Sequence, residues 1–345
     1  MRTKRARRRQ QWEALSDSDL LDVPIRDLGV QIEGTWIEQC LGDLHDELAR
    51  REIPFRPHAW LSHDWFVPDG IPGIAIPFYL AHPRLMRLER KQMVEVEGGT
   101  REEMMKILRH ECGHAFDIAY DVHRDPRWRT LFGNPSRRYP EHYRPNPASR
   151  RYVLHLRLYY AQSHPVEDFA ETFAVIVGSR AERWRKRYAE WAALRKLEYV
   201  DALVDRLRGK RPVRHSLQTP ESLSSLGITL REYYEDKRER YLVNYPDIYD
   251  RDLRRLFSDD PKHARRELAS RFLRRNRSEI RQLVAKWTEE VQFSLEQVLN
   301  DMMGRSRELK LRAVGSERQL EMDFAVLLTV RTMDFHYNRR NWFAL

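Results

Sequence analysis

The sequence predicts an α+β domain, a small mixed sheet set beside one long helix, followed by an all-α C-terminal region. Three observations lead there. The run Gly73-Ile74-Ala75-Ile76-Pro77-Phe78-Tyr79-Leu80 reads as a strand. Met104, Ile107, Leu108, Cys112, Ala115, Phe116 and Ala119 then recur at helical spacing on one face. Beyond residue 226 the chain turns to helical patterns rich in Arg, Glu and Leu.

Residues 1–45 read as a basic tail, with Arg2, Lys4, Arg5, Arg7, Arg8 and Arg9, and a leading helix. Residues 46–210 form the α+β domain. In its strand, Pro77 removes an amide donor and confines the strand to an edge or a bulge. Met93-Val94-Glu95-Val96-Glu97 is a second candidate strand. Gly98 and Gly99 break that element, Thr100 supplies an N-cap, and Glu103 three residues on completes a capping box. Gly113 is a poor helix former, by about 1 kcal/mol against Ala, but lets another backbone or a ligand come close. A further helix starts at Pro165, which suits a first helical turn, and runs into apolar Val175, Ile176 and Val177. Residues 211–226, with Pro212, Pro220 and several serines, lack periodicity and read as a linker. Residues 227–345 carry helical patterns at 229–243, 261–275, 278–303 and 317–338. Leu320, Phe324, Leu327, Leu328 and Val330 suit a small bundle, with Met302, Met303, Met322 and Met333 as core filling.

One stretch names a chemistry. In His110-Glu111-Cys112-Gly113-His114 the histidines are four apart, so both imidazoles leave the same helix face and can reach one metal ion. Glu111 falls about 100° around the helix, where it can act on a metal-held water without ligating the metal itself. With 13 His among 345 residues, chance alone would produce this pattern with a probability on the order of 0.04, so context has to add weight. Downstream, Glu167 and Glu171 share a helix face. Two acids so placed repel unless the face is solvated or a cation or donor compensates. A zinc ion bound by Glu167, with Glu171 accepting the free N–H of His110 or His114, would compensate both. Cys112 points off the histidine face and reads as a packed residue. His164 or Asp168 could instead close the metal site as a fourth ligand, giving a zinc-stabilised binding protein.

HExxH followed by a glutamate on a later helix is the gluzincin pattern. HECGHAFD with EDFAETFA resembles the zinc-binding metallopeptidase family of bacteria and, more distantly, is similar to the peptidase domain of anthrax lethal factor. The likeness spans residues 47–209 and takes in FVPDGIPGIAIPFYLAHP and WAALRKLEYVDAL. It implies a zincin-like fold and one Zn2+ held by His110, His114 and Glu167. It implies hydrolysis of a protein or peptide substrate by a zinc-held water whose proton passes to Glu111 and then to the leaving amine. It also implies a phenol donor to the developing oxyanion seven residues before the ligand glutamate. That position is Tyr160, with Tyr159, His155 and His164 as competitors. Peptidases of this kind hold an extended substrate on an edge strand, which points to Ile74, Ala75 and Ile76 or to residues 93–97. The chain departs from many relatives in having only Cys40 and Cys112 and no cysteine-rich segment.

Composition bounds the rest. No run approaches the ~18 apolar residues of a membrane span, and no apolar core of a secretory signal is present. Two cysteines give no disulfide framework, so a reducing cytoplasm is the expected compartment. The net charge of +10 raises nucleic-acid binding as an alternative. The later Arg clusters are interspersed with acids and no nucleic-acid motif occurs, which disfavours it. The sequence leaves the oligomeric state open.

Overall fold

The computed structural model describes residues 12–140, 142–143, 145–240, 249–288, 291–338 and 343–344; the basic leader at residues 2–9 lies outside them. The chain divides into two compact units. One comprises Met1–Gln92, Val96–Glu235 and Phe343–Leu345, the other Met93–Glu95 and Asp236–Trp342. No described helix is long and apolar enough to cross a membrane.

In the first unit, α1 (Asp17–Leu21) starts at Ser16, whose hydroxyl accepts the Asp19 N–H. Helix α2 (Trp36–Arg50) is capped by Thr35 and buries Ile37, Cys40, Leu41, Leu44 and Leu48, one stripe at helical spacing. The sheet is smaller than predicted. β1 (His58–Ser62) and β2 (Gly73–Pro77) pair in parallel, and on its other side β2 meets Phe66 in a single antiparallel bridge at Ala75. After Pro77 the chain tightens into a 3-10 turn at Phe78–Ala81, so the strand stops short of Leu80. The second candidate strand, residues 93–97, is absent. Helix α3 (Pro83–Met93) ends there and Val94 takes φ 71°, a left-handed turn that prevents an extended run.

Helix α4 (Arg101–Tyr120) carries HECGH. Thr100 caps it by accepting the Glu103 N–H at 3.3 Å. The expected reciprocal bond of a capping box is replaced, because the Glu103 carboxylate pairs with Arg157 at 3.2 Å. Next come α5 (Pro126–Phe132), α6 (Pro165–Gly178), α7 (Ala181–Arg187) and α8 (Leu194–Leu207). Pro165 sits in the first turn of α6, as the sequence predicts. Helices α4 and α6 pack through Phe116 and Phe173, with ring centroids 4.7 Å apart, and Phe169 joins Trp128 and Phe132 of α5. Arg109 forks onto Glu47 of α2 with bonds of 2.8 and 2.7 Å, a bidentate geometry that fixes α4 in rotation. On the far side of α6, buried Asp168 meets Lys196 of α8 at 2.5 Å.

Residues 211–226 run along this unit. Val213 and Arg214 both donate N–H to the Ala119 carbonyl. Trp60 Nε1 donates to Pro220 O at 2.8 Å and Ser62 Oγ to Glu221 O at 2.7 Å. Helix α9 (Leu230–Arg240) follows a bridge between Thr229 and Pro24. β3 (His142–Tyr143) pairs antiparallel with β4 (Phe343–Ala344).

The second unit packs α10 (Asp250–Leu256), α11 (Ala269–Thr288), α12 (Gln292–Glu308) and α13 (Glu317–Asn338) around Leu253, Phe272, Leu299, Met302, Phe324 and Leu328. The pattern read as one helix over 278–303 is two helices, α11 and α12. No glycine or proline marks that break, and both halves carry the same apolar period, so periodicity alone runs through it. Met302 and Met303 fill the core as expected. Met322, Met333 and Val330 stand on the outer face of α13 instead, at 49%, 36% and 48% exposure.

Candidate metal centre

Helix α4 presents His110 and His114 on the face that meets α6, and α6 presents Glu167 and Glu171 one turn apart toward it. His110 Nε2 and His114 Nε2 lie 3.0 Å apart. Glu167 Oε2 is 3.0 Å from the first and 3.1 Å from the second. Three electron-pair donors thus form a near-equilateral triangle, in keeping with a group able to hold a metal. His110 Nδ1 donates to Glu171 Oε1 at 2.8 Å, which assigns that nitrogen a proton and leaves Nε2 as the atom that could ligate a metal once deprotonated. Glu171 uses its other oxygen to accept the Leu156 N–H at 2.9 Å. His110, Glu167 and Glu171 are buried.

Such a triangle could hold a cation. Zinc with bonds of roughly 2.0–2.1 Å in tetrahedral geometry sets its ligand atoms about 3.3 Å apart, so edges of 3.0–3.1 Å fit with a few tenths of relaxation. The electrostatics point the same way. Burial works to raise Glu167, yet His114 and His110 hold its carboxyl well below the ordinary range. Burial likewise opposes charge on His110, but hydrogen bonds with Glu167 and Glu171 lift it well above the ordinary imidazole value. Positive charge is favoured at the centre of the triangle and negative charge on the glutamate.

Glu111 is buried beside the triangle. Its pKa is raised by burial, with His110 and His114 pulling it down and Glu167 and Asp64 pushing it up. The Tyr160 ring lies edge-on to His110 at 5.5 Å between centroids, its phenol pushed up by burial and by Glu167 and Glu111. Leu158 and Tyr159 just before it have φ of 61° and 58°. Two successive left-handed residues without glycine are strained, and they turn the chain so that Tyr160 faces α4. Tyr143 braces this bend by donating to Leu158 O at 2.8 Å.

Of the competitors for the donor role, His155 and His164 are engaged elsewhere. His155 Nε2 donates to Lys106 O at 2.9 Å. His164 caps α6 by accepting the Val166 N–H at Nδ1, and its Nε2 donates to Arg137 O at 2.7 Å. Asp168, whose pKa burial raises to about 7 against the pull of Lys196, faces α8. Cys112 is buried with its thiol pushed up by burial. Ile74, Ala75 and Ile76, the expected substrate edge, are each 0% exposed, and the Ala75 N–H already donates to Phe66 O at 2.9 Å. That amide is therefore committed within the fold. Tyr139 is a site residue that sequence reasoning missed: its hydroxyl donates to Glu167 Oε1 at 2.7 Å. It comes from an irregular loop without period or motif, so no pattern pointed to it.

Residues 82–182 match the sequence model of the family described as "Putative zinc-binding metallo-peptidase". That span takes in HECGH, Tyr139, Tyr160, Glu167 and Glu171. Neither a curated protein nor a solved structure matches the chain, so the more distant likeness to the lethal factor peptidase domain gains no support there.

Proposed function

We propose that the first unit is a zinc-dependent metallopeptidase of gluzincin type on a zincin-like fold, acting on a protein or peptide substrate. The observation that carries this reading is the triangle of His110 Nε2, His114 Nε2 and Glu167 Oε2, backed by Glu171 on His110 Nδ1. His110, His114 and Glu167 would hold one Zn2+, which as a Lewis acid polarises a carbonyl and acidifies water. Glu111 takes the proton of the attacking water and delivers it to the leaving amine. Its raised pKa suits both halves of that transfer. Tyr160 supplies a phenol donor to the oxygen that gains charge. Glu171 keeps His110 in the tautomer and orientation that ligation requires.

The second reading, a closed zinc site that only braces the fold, needs a fourth protein ligand. Both nitrogens of His164 are already hydrogen-bonded and Asp168 is paired with Lys196, which favours hydrolysis. The discriminating experiment is Glu111→Gln with zinc content and peptide hydrolysis measured side by side. Retained zinc with a loss of about 10^2-fold or more in rate supports the peptidase. Unchanged hydrolysis removes it. Metal analysis of His114→Ala, expected to lose zinc, checks the ligand set.

A further inference from the structure

Tyr139 touches Glu167 on the oxygen that the histidines leave alone. Glu167 Oε2 faces both imidazoles, while Oε1 accepts the Tyr139 hydroxyl at 2.7 Å. Carboxylate ligands bind metals through one oxygen or two, and a donor seated on one oxygen disfavours the second mode. The ring is also held in place. It stacks on His164 with centroids 3.8 Å apart and planes 16° from parallel. His164 is itself fixed at both nitrogens, one to the first turn of α6 and the other to Arg137 O in the loop that bears Tyr139. Loop, platform and carboxylate form a closed circuit: Arg137 to His164, His164 to Tyr139, Tyr139 to Glu167. At 46% exposure Tyr139 stands on the solvent side of the site, whereas the carboxylate it holds is buried.

We infer that Tyr139 is a positioning residue that confines Glu167 to one-oxygen ligation, with His164 as its aromatic platform. The inference rests on the metal reading proposed above. It assigns His164 a task distinct from ligation, and it makes the 133–140 loop part of the metal centre.

The test uses the full chain, Zn2+ and Co2+, and the variants Tyr139→Phe, His164→Asn and their double. Tyr139→Phe keeps the stacked ring and removes only the donor. His164→Asn keeps a side chain able to cap α6 and removes the platform. For Tyr139→Phe the expected results are a rise of about 10-fold or more in the metal dissociation constant and a changed visible spectrum of the Co2+ form. His164→Asn should move both readouts in the same direction, and the double variant should add little beyond Tyr139→Phe, as for two members of one circuit. If Tyr139→Phe merely lowers the melting temperature while metal affinity and the Co2+ spectrum stay at wild-type values, Tyr139 is a loop fastener and the inference fails. Fully additive effects would also overturn the circuit. Wild-type protein that takes up neither metal would sink the peptidase reading and this inference with it, whereas metal-binding wild type with an indistinguishable Tyr139→Phe sinks this inference alone.

Discussion

A β-carbon placed on Gly113 would lie 2.7 Å from the Cα of Ala170 and 3.0 Å from its carbonyl oxygen. The helix bearing both histidines and the helix bearing both glutamates therefore meet backbone to backbone. Gly113→Ala forces them apart at the point between the ligands. Overpacking costs about 1–3 kcal/mol against about 1 kcal/mol gained in helix propensity. The expected outcome is a modest drop in stability to urea with a much larger loss of metal retention. Gly42 on α2 is the control, since nothing lies within 4 Å of its would-be β-carbon. Gly42→Ala should stabilise the fold by about 0.5–1 kcal/mol.

Glu171 accepts from His110 Nδ1 and from the Leu156 amide with different oxygens. Glu171→Ala leaves His110 Nδ1 and the Leu156 amide without that acceptor, and a 10- to 100-fold weaker metal site is expected. Glu171→Gln keeps one carbonyl oxygen and should fall between. Zinc release to a chromogenic chelator measures both.

Asp168 and Lys196 form a buried pair at 2.5 Å. Lys196→Met leaves the buried Asp168 carboxyl without its cation, and the cost, up to about 3–5 kcal/mol, should grow as pH rises above the Asp168 value of about 7, where protonation no longer relieves it. Adding Asp168→Asn should recover much of that, because a neutral amide is far cheaper to bury than an unpaired charge. Urea midpoints of the two variants decide the matter; equal loss in both would mean that the charge is not the cause.

His123 Nδ1 and Asp117 Oδ1 lie 3.0 Å apart, and Asp117 Oδ1 also accepts the His123 N–H at 2.8 Å. The hydrogen bond with Asp117 raises the His123 pKa, with burial opposing. A raised imidazole pKa stabilises the folded state fully below the unfolded value of about 6.5 and loses that contribution as pH climbs through the folded value. Stability of the wild type should thus decline from pH 6.5 upward relative to His123→Gln. Parallel melting-temperature curves for the two proteins would contradict the assignment.

The sequence carried the parts of the site that obey a period. His110 and His114, like Glu167 and Glu171, are four apart, and helical spacing alone puts each pair on one face. Pro165 marked the start of α6, and Gly113 pointed to a close approach without saying of what. Tyr139 was illegible because it reaches Glu167 from a loop, where position follows from tertiary hydrogen bonds such as His164 to Arg137. Residues 93–97 alternate like a strand, yet Val94 turns left-handed there. Ile74, Ala75 and Ile76 do form a strand, but its far side already meets Phe66, a long-range pairing that local alternation does not encode. The break between α11 and α12 escaped for the converse reason, since both helices share one apolar rhythm.

The backbone at Leu158 and Tyr159 sits where side chains bearing a β-carbon cost about 1–2 kcal/mol each. Glycine or asparagine would relax there at once. Selection of random variants for heat resistance alone should therefore enrich glycine or asparagine at these two positions. Room for thermal hardening is thus held in two adjacent peptide units, just before the ring that packs edge-on to His110.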